Sequence, residues 1–228
     1  MIEPVFGALK VPADIEKRKP FLGVFGKKFQ APKYIDLRGY CTEPRQQGPL
    51  PICAAASASS MCENILWRKN GYIDHFDMHD VYKYAKKHDG DPTGDGTTLN
   101  AALEYFLNKG LFVKEAEIQY IYGGDVYDKV VRGIHCFGVV HIGMNCTSEW
   151  MECNPNKTSI TANGKYDICG GHAVCAVAAL PEGIVIQNSW GPEWGRKSFA
   201  IITPKAFREQ FIYGCVISHA LDGFRMNV

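Results

Sequence analysis

This chain has no CxxC pair, no apolar run long enough to cross a bilayer, no internal repeat and no low-complexity stretch. The first absence removes the usual zinc-ribbon and thiol-redox signatures. The second excludes a transmembrane helix, and the third a repeat architecture. Charge of one sign is not in excess: 25 Lys and Arg stand against 24 Asp and Glu, for a net charge of +1. No broad basic field exists to hold nucleic acid or an acidic membrane, and neither is expected as a partner. The early cluster Lys10, Lys17, Arg18, Lys19, Lys27 and Lys28 reads as a solvated tail. A secretory apolar core is lacking too, since Val5 to Leu9 is short and interrupted by Gly7. The expectation is a protein that stays inside a cell or is delivered within a particle.

Nine cysteines are present, an odd number with no dense spacing pattern. Cys146, Cys153, Cys169 and His172 are too loosely spaced for a zinc set, so no metal is expected. Free, mostly buried thiols are the favoured reading; a Cys169–Cys215 pair is the one disulfide considered. The 228 residues, 46% hydrophobic and 21% charged, suit a soluble globular chain of one large domain or two small lobes.

Residues 1–33 carry Pro4, Pro12, Pro20 and Pro32 without any sustained period, and read as an extended N-terminal segment. From Cys53 the pattern is helical: Ala54, Ala55, Ala56 and Ala58 favour helix, Met61, Cys62, Ile65 and Leu66 extend the apolar stripe, and Asn70-Gly71 stops it. Two more helices are read at Met78–Lys87 and Leu99–Lys109. Later the character changes to short β-type runs at 138–144, 172–179, 183–187 and 198–202, with one short helix at 204–211. The division expected is 1–33 as a separate segment, 34–133 as a mainly helical lobe and 134–228 as a mainly β lobe, an α+β protein.

The chemistry sits in three places. Cys53 follows a Gly- and Pro-bearing loop and opens a helix, where the helix dipole favours thiolate over thiol. Gln47, six positions earlier, can aim its amide at the space beside the Cys53 N–H, giving two donors for an oxyanion. His172 lies in Gly-Gly-His-Ala-Val entering a β run, and Asn188 follows in Asn-Ser-Trp-Gly, placed to orient the ring while Trp190 covers that bond. Together these supply a nucleophile, a base, an orienter and an oxyanion donor for acyl transfer.

These residues resemble the papain-like cysteine peptidases, the cathepsin group, over roughly residues 32–220. The match is carried by Gln47 before Cys53, Gly171-His172-Ala173-Val174, Asn188-Ser189-Trp190-Gly191 with Trp194-Gly195, and Pro32…Asp36-Leu37-Arg38. The resemblance implies a helical left lobe and a β-barrel-like right lobe with a cleft between them for an extended polypeptide. It implies Cys53, His172, Asn188 and Gln47 as catalytic residues and no cofactor. Gly96, Thr97, Gly171 and Trp190 would contact substrate, and Ala220 and Leu221 would floor a specificity pocket. Leu50 stands where the family has a disulfide cysteine, with Gly94-Asp95-Gly96-Thr97 near its partner's place, and Ala54 replaces a tryptophan. A trimmed microbial or viral form, monomeric, is the expectation, with residues 1–33 as a short inhibitory segment of a zymogen. Two competing readings are a catalytically silent binding protein of the same fold and a related Cys-His acyl transferase. Such transferases typically orient the base with aspartate rather than asparagine.

Overall fold

The computed structural model describes residues 12, 14–18, 20–21, 34–72, 75–112 and 114–218. Along the chain run β1 (Ile35–Asp36), α1 (Cys53–Asn70), α2 (Met78–His88), α3 (Leu99–Asn108), β2 (Glu117–Ile121) and α4 (Val126–Phe137). Then come β3 (Val140–Thr147), β4 (Ser159–Ile160), β5 (Ile168–Leu180), β6 (Gly183–Gln187), β7 (Phe199–Ile202), α5 (Pro204–Gln210) and β8 (Phe211–Ser218). The eight strands form one sheet in the order β2-β8-β3-β5-β6-β7-β4, with β1 pairing to β5 where β3 leaves off. The fold is α+β. The sheet is an open path among the described residues, with β2 and β4 at its ends, so the barrel-like closure expected of the right lobe is not formed.

Helix α1 is buried on nearly every side from Cys53 to Leu66. Its alanines and serines make this affordable in space: small side chains let α2, α3, β3 and β5 all pack closely against it. Ser57, Ser59 and Ser60 each return a hydroxyl hydrogen bond to the carbonyl four residues back, so they add no unsatisfied polar group. Gly71 ends the helix in the left-handed conformation at φ 77°, its N–H donating to the Trp67 carbonyl. Side-chain caps start the shorter helices: Asp77 for α2, Thr98 for α3, Asp125 for α4 and Thr203 for α5.

The central strand β5 is flanked by β3, β1 and β6 and packed by α1 and α4. From His172 to Ala179 it is buried without alternation. The expected boundary between 133 and 134 falls within α4, and β2, from the segment expected to be helical, pairs with β8. The sheet thus draws on strands from both halves of the chain. No helix among the described residues is long and apolar enough to cross a membrane.

The described part of the N-terminal segment lies at the β2 edge. Pro20 bridges Tyr120, Phe21 N donates to the Tyr120 carbonyl at 2.8 Å, and the Phe21 ring meets Phe137 edge-on at 5.7 Å. Arg18 spans Asp14 and the Tyr120 hydroxyl. Residues 1–11 and 22–33, on which most of the inhibitory-segment expectation falls, lie outside the described residues, as do Ala220 and Leu221.

Candidate active site

Cys53 is the first residue of α1 and is buried. The preceding residue, Ile52, contributes no side-chain cap, so the helix start presents backbone donors rather than a competing carboxylate or hydroxyl. Burial raises the pKa of Cys146 on β3 well above the ordinary thiol value, and the next contribution comes from Cys53. Tyr82 on α2 is likewise raised, mostly by burial and Asp95, with a smaller contribution from Cys53. Cys53 therefore lies near Cys146, whose register partner Gly170 is two residues from His172 on β5.

His172 is fully buried on β5, and Asn188 follows directly after the neighbouring strand β6. The two strands are antiparallel and joined by a short turn, which brings the pair together: His172 Nε2 donates to Asn188 Oδ1 at 2.7 Å. The Asn188 oxygen is itself held by the Ser189 N–H at 2.8 Å. This leaves His172 Nδ1 as the ring atom without a hydrogen-bond partner among the described residues. Burial pushes the ring down to about 4, with the Asn188 bond opposing. At neutral pH the ring by itself is neutral, and an imidazolium there requires an anion alongside.

The aromatic setting keeps water from this bond. The Trp190 ring lies 4.5 Å from the His172 ring at 31°, and Trp150 meets His172 edge-on at 6.1 Å. Trp150 is held by donation to Gln210 Oε1, and its carbonyl accepts from Trp194 Nε1, both at 2.8 Å.

Gln47 is buried and doubly oriented. Its Oε1 accepts from the Ser189 hydroxyl at 2.7 Å, and its Nε2 donates to the Leu50 carbonyl at 2.9 Å. An amide nitrogen carries two hydrogens, so one remains to be directed elsewhere. The loop bearing it is stitched to the turn bearing Asn188: Gln47 N donates to Ser189 O, and Gly191 N to Arg45 O, each at 2.9 Å. Gly191 sits at φ 83°, a left-handed conformation that favours glycine, with the flexible Gln46 side-chain amide 2.9 Å from where a Cβ would stand. Arg45 anchors the same loop to α1 through Glu63, which is fully buried and also accepts from Thr42 Oγ1 and Phe76 N.

The residues expected to contact substrate fare differently. Gly171 is half-buried and Trp190 buried, both beside His172. Gly96 and Thr97 are buried, and the Gly96 carbonyl already accepts from Lys86 Nζ at 3.0 Å. That carbonyl keeps one lone pair for a further donor. The same ammonium pairs with Asp89 at 2.9 Å and bonds the Asp91 carbonyl, so it ties together the loop where the family's disulfide would anchor. None of the nine cysteines is in a disulfide; Cys169 is exposed and Cys215 buried in β8, so the Cys169–Cys215 pair is not formed.

Sequence reasoning passed over Ser189, although it stands in the Asn-Ser-Trp-Gly run. It also passed over Trp150, which had no local signal. Glu63 was detectable as the one carboxylate of α1.

Comparison with known structures finds this fold elsewhere. Xylellain, a cysteine protease from Xylella fastidiosa, aligns over 93% of this chain and 95% of its own, with a TM-score of 0.73 and 15% identity. The Carica candamarcensis cysteine protease CMS1MS2, in complex with E-64, aligns over 82% and 98% with a TM-score of 0.62 and 18% identity. The chain shares the fold of these cysteine proteases. By sequence, cathepsin K of Gallus gallus is 26% identical over 225 residues, covering 85% of this chain and 65% of that protein. Chymopapain of Carica papaya is 28% identical over 195 residues, covering 74% and 54%. The chain thus spans between half and two-thirds of the length of these curated relatives. No family model matches it.

Proposed function

We propose that this chain is a cysteine peptidase, hydrolysing peptide bonds of a polypeptide held between α1–α3 and the sheet. Cys53 thiolate attacks the scissile carbonyl carbon, and the carbonyl oxygen takes the negative charge. The remaining Nε2–H of Gln47 and the Cys53 N–H hold that oxyanion. His172 imidazolium gives its proton to the leaving amine as the C–N bond breaks, leaving a thioester. The neutral ring then removes a proton from water, whose oxygen displaces the thiolate and releases the acid. Asn188 holds the ring through both steps, and Gly171 and Trp190 border the substrate beside it.

One observation carries the reading: the bonded run Gln47–Ser189–Asn188–His172, which sets an amide donor and an imidazole from distant parts of the chain in one buried frame. The test is stoichiometric labelling of Cys53 by a peptidyl epoxide together with release of amine from a peptide substrate. Absence of labelling and of turnover would favour the silent binding protein, and transfer to an added amine in place of hydrolysis would favour the transferase. The free thiols support a reducing setting for the protein.

Residues 1–33 act in this reading as an inhibitory segment anchored at the β2 edge through Arg18 and Phe21. Support comes from similar solved structures that are proforms, such as the ragweed pollen cysteine protease Amb a 11 (TM-score 0.64, 17% identity, 86% of this chain and 67% of that one). Deleting 1–33 should raise turnover per titrated Cys53; unchanged turnover rejects inhibition.

A further inference from the structure

Ser57 lies one helical turn beyond Cys53 and is buried. Its hydroxyl donates to the Cys53 carbonyl at 2.9 Å and lies 3.4 Å from the Ala54 carbonyl. The same oxygen is 2.6 Å from Nε2 of His141, a fully buried residue of β3. The Ser57 carbonyl accepts from the thiol of Cys175 on β5 at 2.8 Å. His141 and Cys175 are register partners across β3 and β5. One residue of the nucleophile's helix is therefore gripped from two adjacent strands, and one of those strands carries His172 three positions away.

Proton counting gives the grip a direction. A hydroxyl has one hydrogen, and carbonyls only accept. With that hydrogen on the Cys53 carbonyl, His141 Nε2 must be the donor to Ser57. His141 Nδ1 is then a bare lone pair, and it has no partner among the described residues. The reverse arrangement strands a buried N–H, the rarer and costlier orphan. Burial holds His141 neutral by pushing it down to about 3. An apolar side chain would fill this space without stranding a ring nitrogen; what the imidazole adds is orientation.

We infer that His141 is a positioning residue, which through Ser57 sets the first turn of α1 against β3 and β5 and so the Cys53 thiol against the His172 ring. This rests on the peptidase reading of the site. The lever arms are short: Cys53 is about 6 Å from Ser57 along the helix, and His172 about 10 Å from Cys175 along the strand. A 1 Å misplacement of reacting groups can cost about 100-fold in rate, so a small tilt of α1 is enough to matter.

The experiment uses the full chain. Alkylation of Cys53 by iodoacetamide is followed from pH 4 to 10 with peptide mass mapping, because other thiols are present, alongside kcat and KM on a fluorogenic peptide and thermal unfolding. In His141→Val and in Ser57→Ala, alkylation at pH 7 and kcat should each fall about tenfold, the loss expected of one hydrogen bond. The acid limb of the alkylation profile should move, and KM should stay within about twofold. His141→Gln, which can donate to Ser57 again, should recover most of the loss. The double variant should be no worse than either single one. A folded His141→Val chain with the original profile overturns the inference, as does a His141→Gln chain no better than His141→Val. Where His141→Val does not fold, Ser57→Ala, which adds no bulk, decides. A wild-type chain that cleaves no peptide, yet has a fast Cys53 that these variants slow, rejects the peptidase reading and keeps the positioning role. Cleavage by the wild type with unaltered variants does the opposite.

Discussion

Replacing Cys53 with alanine should leave His172 titrating at about 4. The ordinary imidazole value is 6.5, and burial is the largest cause of the fall, with Asn188 opposing it. At 1.36 kcal/mol for each tenfold change, the gap corresponds to about 3 kcal/mol against an imidazolium standing alone in this site. A thiolate at Cys53 must offset that amount for the charged pair to exist at neutral pH, so thiol and imidazole titrate as one coupled system. Ring nitrogen shifts of His172, followed by NMR as pH is varied in the intact chain and in Cys53→Ala, measure this directly. The intact chain should hold its ring charged well above the pH at which the variant loses its proton. Equal titration curves in the two proteins, or a Cys53→Ala ring that titrates at 6.5 or higher, would refute the argument that Cys53 supplies the counter-charge.

Acid should weaken the fold through His141. Its folded pKa, about 3, lies below the 6.5 of the unfolded chain, so the unfolded state binds the proton first. Stability from this group is complete above pH 6.5 and falls by about 1.4 kcal/mol per unit as pH drops towards 3; urea midpoints across that range report it, and a flat profile counts against a neutral buried ring. Gln47→Ala should lower kcat by about 100- to 1,000-fold with KM little changed. Ser189→Ala, which only frees the Gln47 amide, should cost about tenfold; steady-state kinetics that reverse this ranking would show that Gln47 is not the oxyanion donor. Glu63→Gln breaks the Arg45 ion pair in the interior and should destabilise by about 3–5 kcal/mol, read as a lower urea midpoint. No change in the midpoint would mean that the loop carrying Gln47 is anchored by its other bonds.

Much of the helical half was legible because its signals are local. The alanine run and Gly71 bound α1, and the four-residue spacing of buried Val81 and Ala85 marks α2. Strands β5 to β7 and helix α5 announced themselves by β-branched runs and by Thr203-Pro204. Helix α4 was not legible. It contains Val126, Val130, Val131 and Gly133, all poor helix formers, and its reason lies elsewhere in the fold. A Cβ on Gly133 would come within 2.8 Å of Val140, so the glycine exists to let the helix lie close on β3. Strands β2 and β8 depend on each other through their pairing, and of the two only β2 is followed directly by a turn signal, Gly123-Gly124.

The sequence by itself determined which groups are proposed to react. A thiol at a helix start, an amide upstream of it and an imidazole entering a strand are properties of short stretches, and side-chain chemistry travels with the residue. Tertiary structure decided how those groups are held. Ser189 meets Gln47 across 142 residues of chain, and Ser57 meets His141 across 84. Such contacts follow from strand register and from how near a helix can approach a sheet. These are cooperative outcomes of packing, and no spacing rule along the chain encodes them.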